Sequence, residues 1–212
     1  MDRILKRFED KTLKSYRTLK GCGKAQKEFK KSLFISYARP VESEAEAKAF
    51  IRDIKELHRD ANHNVSAYFI NENNSFALKH DDDGEPAGSS GKPVFKVLES
   101  KEILNVVVVV ARYFGGTKLG FGGLSRAYRD TALAAIEEAE VIEVFNQVRL
   151  RIRLRYAESQ KVRNLMEKYA EIQEETYMDT VEFILLVREE LEDEFTKRIK
   201  DQTKNNVALE RL

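Results

Sequence analysis

The sequence is short of the residues on which much site chemistry depends. Its 212 residues include one cysteine, three histidines and no tryptophan. The lone Cys22 excludes an intramolecular disulfide and any multi-cysteine metal site. It sits in a basic segment, and no Cys-His nucleophile is indicated. No G-x-S-x-G elbow is present. Long apolar runs are also missing: Ile103–Ala111, interrupted by Asn105, is half of the ~18 residues that a membrane span needs. Met1–Asp10 alternates charged and apolar residues without an apolar core, so it does not read as a secretory signal. A soluble cytoplasmic protein is therefore expected. An excess of one charge is absent too, with 37 Lys/Arg against 36 Asp/Glu, which excludes a uniformly basic nucleic-acid binder and an acidic tail protein. Proline occurs three times, and eight of the ten glycines lie between Gly84 and Gly123. Neither residue occurs after Gly123.

What is present is unevenly placed. Residues 1–40 carry 12 Lys/Arg against 4 Asp/Glu, and residues 41–100 carry 7 against 12. Such polarity steers an anionic partner or is ordinary solvated surface. Alternation predicts two short strands within Lys24–Tyr37, closed by Pro40. A helix is expected from Ser43 to near Asp60, opened by a Ser43/Glu46 capping box. A strand over Asn64–Ile70 follows, then a polar stretch, Asn71–Lys92, without hydrophobic period. A short helix is expected over Pro93–Glu99. Ile103–Ala111 reads as a central strand covered on both faces. A glycine-rich loop, Tyr113–Gly123, leads into a helix over Leu124–Ala139.

The second half changes style. Val148, Leu150, Ile152, Leu154 and Tyr156 alternate with Arg149, Arg151, Arg153 and Arg155, giving one apolar face and one arginine face. A helix around Val162–Tyr169 follows, then strands over Ile172–Met178 and Val181–Val187. A last helix around Leu191–Ile199 and a closing strand at Val207–Leu209 complete the order β-α-β-β-α-β, that of ferredoxin-like domains. The fold class is α+β, with one domain over 1–140 and a ferredoxin-like domain over 141–212.

Two loops hold the glycine cluster. In the second, Arg112–Tyr128, the order Gly116-Thr117-Lys118 fails the P-loop spacing, and Gly120-Phe121-Gly122 is followed by Ser125 where a dinucleotide fingerprint needs its third glycine. No nucleotide cofactor is expected. The loop is nevertheless basic, free of acids between Arg112 and Arg129, and ends at a helix start, where unpaired backbone N–H groups favour anions. Arg112, Gly115, Gly116, Lys118, Gly120, Gly122, Gly123 and Arg126 form the candidate phosphate site; the other reading is a tight turn whose glycines serve packing. The first loop offers Asp81, Asp82, Asp83 and Glu85, with His80 adjacent and His63 upstream. His63, Asp82, Asp83 and Glu85 are a second candidate cluster, able to hold a divalent ion for phosphoester hydrolysis, or else to make turns and helix caps. EF-hand spacing is not met and no metal is assigned. The arginine face at Arg149–Arg155 reads as an RNA-backbone contact or as a partner for Glu174, Glu175 and Glu182.

Three segments carry a resemblance: Ala61–Tyr68, Asp82-Asp83-Gly84-Glu85-Pro86 through Pro93, and Arg112-Tyr113-Phe114-Gly115-Gly116-Thr117-Lys118-Leu119-Gly120 through Tyr128. On them the chain resembles the YigZ/IMPACT protein family. The resemblance implies a first domain like the second domain of a small-subunit ribosomal protein, a fold shared with domain IV of elongation factor G, and a second domain like domain V of that factor. It implies contact with ribosomes or structured RNA and a role in translation or its regulation. The leading reading is a non-enzymatic RNA- or ribosome-associated protein; the others are the metal-dependent hydrolase above and a protein-interaction module whose ferredoxin-like sheet docks a partner, such as a protein of the translation machinery. Eukaryotic members are implicated in translational control and carry an extra N-terminal RWD domain, which this sequence is read as lacking. The family often has Thr and Cys where Asn62 and Val65 stand here, which excludes a thiol role. Ser90 stands where Ala is usual.

Overall fold

Val106–Ala111 is the most deeply buried run in the chain, fully shielded from solvent at every residue. A strand of β-branched residues buries both faces only when something covers each of them, and the architecture follows from that demand. In the computed structural model, which describes residues 15–72 and 75–212, the chain divides into a unit spanning residues 16–144 and a second spanning residues 145–212 with Ser15. The Met1–Asp10 segment lies outside the described residues.

The first unit runs β1 (Ser15–Leu19), β2 (Gly23–Phe29), β3 (Ser32–Pro40), α1 (Glu44–Leu57), β4 (His63–Glu72), β5 (Ser75–Asp81), α2 (Gly91–Lys101), β6 (Val106–Tyr113), α3 (Gly120–Glu138) and β7 (Val141–Phe145). Its main sheet has the order β2-β3-β6-β4-β5, every neighbouring pair antiparallel. β6 is the middle strand. Val107 and Val109 face one way, with Tyr68 and Ile70, against Ala47 and Ile54 of α1. Adjacent residues face the opposite way: Phe69 meets Phe95 of α2 at 5.9 Å between ring centroids, and Phe34 meets Tyr128 of α3 edge-on at 5.0 Å. Helices thus cover both faces of an antiparallel sheet.

Several boundaries differ from the sequence reading. Asn71–Lys92 is not aperiodic throughout, because β5 occupies Ser75–Asp81. β5 pairs only with β4 at the sheet edge, so one partly buried face suffices and its apolar signal is weak. α3 starts at Gly120, not Leu124, and α1 ends at Leu57, short of Asp60. β1 and β7 pair with each other in a small separate sheet, a pairing of distant segments that no local pattern announces. Half of the expected capping box forms: the Glu46 N–H donates to Ser43 Oγ at 3.2 Å, while the Glu46 carboxylate accepts from the N–H of Glu42.

The second unit runs β8 (Gln147–Leu154), α4 (Tyr156–Tyr169), β9 (Ala170–Tyr177), β10 (Val181–Arg188), a 3-10 turn at Glu189–Leu191, α5 (Glu192–Gln202) and β11 (Val207–Arg211). Its sheet order is β11-β8-β10-β9. Val148, Leu150, Ile152 and Leu154 of β8 share a buried core with Val162 and Met166 of α4 and Phe195 and Ile199 of α5. Acidic residues open α5 and Lys200 closes it, matching the helix dipole. Chain-wide, the fold is mixed α/β in two units. Among the described residues, no helix is long and apolar enough to cross a membrane.

Candidate functional site

The acidic loop between β5 and α2 is held by its own backbone. Asp82 Oδ1 accepts from the N–H groups of Ser90 and Gly91 at 3.0 and 2.8 Å and from Ser90 Oγ, and Oδ2 accepts from the Gly88 N–H at 2.7 Å. These are donors at the start of α2 that would otherwise be unpaired. Burial raises the Asp82 carboxyl, but the Ser90 hydroxyl and the N–H groups of Gly88, Gly91 and Ser90 outweigh it and hold it below the usual carboxylate range. Asp83 is engaged likewise, by Lys55 Nζ and the Asn64 N–H, each at 2.6 Å. Burial again opposes these partners and loses.

Glu85 is the deepest of the group, its side chain 3 % exposed. Its Oε1 accepts from Arg112 Nη1 at 2.6 Å and from the Tyr128 hydroxyl at 2.8 Å. Burial, with Glu85 beside it, pushes the Tyr128 phenol far above its ordinary range, so it stays a neutral donor. His63 Nδ1 donates to the Asp83 carbonyl at 2.8 Å, and its Nε2 lies 3.9 Å from Glu85 Oε2. The structure therefore gathers His63, Asp83, Glu85, Arg112 and Tyr128, but with the carboxylates already paired. Among the described residues no three His, Cys, Asp or Glu side chains are arranged to hold a metal ion.

This arrangement changes the reading of Arg112. It is no surface cation: it is buried, ion-paired to Glu85, and its guanidinium lies 5.5 and 5.3 Å from the ring centroids of Phe34 and Phe114. Gly115 and Gly116 serve packing. A Cβ on Gly115 would stand 2.1 Å from the Lys31 carbonyl oxygen, and one on Gly116 2.7 Å from that of Lys30. Both glycines lie against the turn between β2 and β3, where Ser32 Oγ donates to the Gly115 carbonyl.

The rest of the glycine loop does something else. A cleft of about 430 Å³ is lined by Gly88, Lys92, Pro93, Lys96, Phe121, Gly122, Ser125, Arg126 and Arg129. It brings the two glycine loops together at Gly88 and Gly122, where an added Cβ would meet nothing within 4 Å. Ser125 Oγ fastens the two sides by donating to the Ser89 carbonyl at 3.1 Å. No carboxylate lines the cleft. Arg129 pairs with Asp130 at 2.8 Å; no ion-pair partner is found among the described residues for Lys92, Lys96 or Arg126. α3 begins without a side-chain cap and without an acid in its first turn, unlike α2, whose start Asp82 occupies. Gly120 and Gly123 belong to that first turn, and Lys118 is exposed just before it. Lys118 does not line the cleft.

Sequence reading missed Lys92, Lys96, Phe121 and Arg129 as members of this cleft. The signal was available in their spacing: Lys92 and Lys96 are one helical turn apart, as are Arg126 and Arg129, so each pair projects from one face. It also missed His58, which caps the end of α1 and sits between two phenols, Nε2 2.8 Å from the Tyr37 hydroxyl and Nδ1 2.9 Å from that of Tyr113. The Tyr113 hydroxyl donates to Asp60 at 3.0 Å, so it accepts from His58 Nδ1–H, and Nε2 accepts from Tyr37. Burial first, and then the charge of Lys24, lower the His58 pKa against a smaller opposing effect of Asp60.

In the second unit the arginine face is met by acids. Arg149 pairs with Glu174 at 3.0 Å, Arg151 with Glu210 at 2.8 Å, and Arg153 with Glu182 at 2.5 Å. Glu175 instead pairs with Arg163 of α4 at 2.8 Å, being one residue out of phase with Glu174 and so on the opposite face.

Comparison with known proteins accounts for the three segments noted in the sequence. Residues 30–136 match the family model of the Impact N-terminal domain, and residues 152–206 match a domain of unknown function, DUF1949. The chain is 37 % identical over 192 residues to the IMPACT family member YvyE of Bacillus subtilis, covering 90 % of this chain and 88 % of that protein. It is 31 % identical over 189 residues to an IMPACT family member of Haemophilus influenzae, covering 88 % and 92 %. A crystal structure described as that of a hypothetical protein superposes with a TM-score of 0.61 over 94 % of this chain and 98 % of its own, at 26 % identity. The chain belongs to the IMPACT family.

Proposed function

We propose that this protein binds the phosphate backbone of RNA, free or in the ribosome, and acts in translation or its regulation as a non-enzymatic cytoplasmic factor. The observation that carries the reading is the cleft of the first unit. It presents Lys92, Lys96, Arg126 and Arg129, has no lining carboxylate, and exposes backbone at Gly88 and Gly122. Glycines let a polyanion approach the main chain, and the uncapped start of α3 adds donors suited to phosphate oxygens. Lys118, exposed just before α3, adds a further cation next to that helix start in the chain. The family resemblance points the same way, because eukaryotic members are implicated in translational control. The element order of the second unit, with β8 and β10 central in the sheet, supports a ferredoxin-like reading like elongation factor G domain V, and the first unit is read as its domain IV-like counterpart.

Titration of labelled structured RNA and of purified ribosomes at two salt concentrations tests this. Phosphate contacts predict an affinity that falls steeply as salt rises, because counterions are released on binding. The Lys96→Glu/Arg126→Glu double variant should lose most of that affinity and show a shallower salt dependence. Wild-type protein that binds neither probe, or a double variant that binds as wild type does, would remove the proposal.

A further inference from the structure

Phe121 is the side chain in the cleft that phosphate binding leaves unexplained. It lies in the first turn of α3 beside Gly122, is 60 % exposed, and lines the same cleft as the four cations. An exposed phenylalanine in a helix forgoes burial of a large apolar surface. The other exposed phenylalanine of this region, Phe114, already lies against the Arg112 guanidinium. Phe121 has no aromatic or cationic partner among the described residues. A bare aromatic ring set among cations is the combination by which proteins hold single strands: the cations follow the backbone while a base stacks on the ring.

We infer that the cleft selects single-stranded RNA, with Phe121 as the stacking platform for one unpaired base. The inference rests on the phosphate-binding reading above and adds the strandedness of the ligand and the residue that sets it. In a duplex both faces of an internal base are covered by its neighbours, so the ring of Phe121 gains a partner only from an unpaired nucleotide. Lys92 and Lys96 on α2 and Arg126 and Arg129 on α3 supply the charge around that base. Gly88, Pro93, Gly122 and Ser125 complete the lining, and the ring of Phe121 is 60 % exposed beside them. Discrimination among the four bases is not expected, since every base has a π-face.

The test uses the full chain and two labelled probes, a twelve-nucleotide RNA and the same sequence annealed to its complement. Wild-type protein should prefer the single strand. Phe121→Ala should weaken single-strand binding by at least about fivefold, the loss of one stacked base, while leaving duplex binding and the salt dependence unchanged. Phe121→Tyr, which keeps the ring, should bind the single strand as wild type does. If Phe121→Ala binds the single strand as tightly as wild type, or if duplex and single strand bind alike, the inference is overturned. The outcomes separate the two readings: loss of binding in Lys96→Glu/Arg126→Glu with no effect of Phe121→Ala keeps phosphate recognition and removes base stacking. A wild-type protein that binds neither probe overturns this inference, and the phosphate reading falls with it only if structured RNA and ribosomes are not bound either.

Discussion

Glu85 is a motif residue whose carboxylate is already engaged by its neighbours. One carboxylate receives a guanidinium and a phenol, with an imidazole 3.9 Å away, in a place where solvent barely reaches. Removing one partner of a buried ion pair leaves the other charge uncompensated, which costs about 3–5 kcal/mol. Glu85→Ala should therefore lower the free energy of unfolding by that amount in urea titrations, and Glu85→Met with Arg112→Met should recover part of it, because no unpaired charge remains. Asp82 serves a different need, satisfying the N–H groups at the start of α2. Asp82→Ala should cost about 0.5–2 kcal/mol, the range for losing a helix cap. Because its folded pKa is held below the ordinary one, the contribution of Asp82 is fully present above its unfolded pKa, near pH 4. It is lost as the pH falls through the lower folded value, so wild type and Asp82→Ala should converge in stability under acid.

At the scale of elements, the turn between β2 and β3 explains the glycine pair Gly115–Gly116, far from it in the chain. Lys30 and Lys31 both adopt positive φ, 48° and 68°, between the paired residues Phe29 and Ser32. A two-residue turn of this hand matches the twist of the strands it joins. It is built here without the asparagine or glycine that would have marked it in the sequence. Gly115 and Gly116 then press against the carbonyls of that turn. Gly115→Ala should destabilise the fold by about 1–3 kcal/mol, as overpacking does, measurable as a lowered denaturation midpoint without change in the transition slope. The end of α1 supplies a pH response. His58 is buried as the neutral imidazole between Tyr37 and Tyr113, with Lys24 and Asp60 as the charges that act on it. Its folded pKa lies below the ordinary 6.5, so below that pH the unfolded chain takes up a proton that the folded one resists. Its stabilisation is present above about pH 6.5 and is lost as the pH falls through the folded value. Unfolding measured from pH 7 to pH 5.5 should show wild-type stability declining, and a His58→Gln variant should decline less.

For the molecule as a whole, near-zero net charge conceals two kinds of basic surface. On the second unit's sheet the arginines stand opposite glutamates and are paired across strands. Such exposed pairs contribute little stability, about 0–1 kcal/mol each, but they cancel the field that a polyanion would feel. In the first unit's cleft, Lys92, Lys96 and Arg126 have no ion-pair partner among the described residues. Charge reversal should therefore act unequally: Arg149→Glu is expected to change RNA affinity by less than about twofold, whereas reversal at Lys96 and Arg126 removes most of it, as anisotropy titrations at low salt would show.

Much of this was legible along the chain. Alternation at Val148–Leu154, the apolar run ending at Ala111, the helical stripe of α1 and the order of the second unit each depend on local periodicity, which a single segment carries by itself. The specific residue order in the glycine loops identified the family for the same reason. What local pattern could not decide was which charges remain free. Arg112 and Arg126 look alike in sequence, but one is buried and ion-paired to Glu85 and the other lines a cleft without acids. The β1–β7 pairing, the Lys30–Lys31 turn under Gly115, and the meeting of α2 with α3 at Gly88 and Gly122 also join segments far apart in the chain. The sequence by itself determined most of the elements, the two-part organisation and the family, but not β1, β5 or β7. Only the tertiary structure decided which loop residues pack, which pair and which line an open cleft, because burial and charge compensation depend on neighbours that the fold alone brings together.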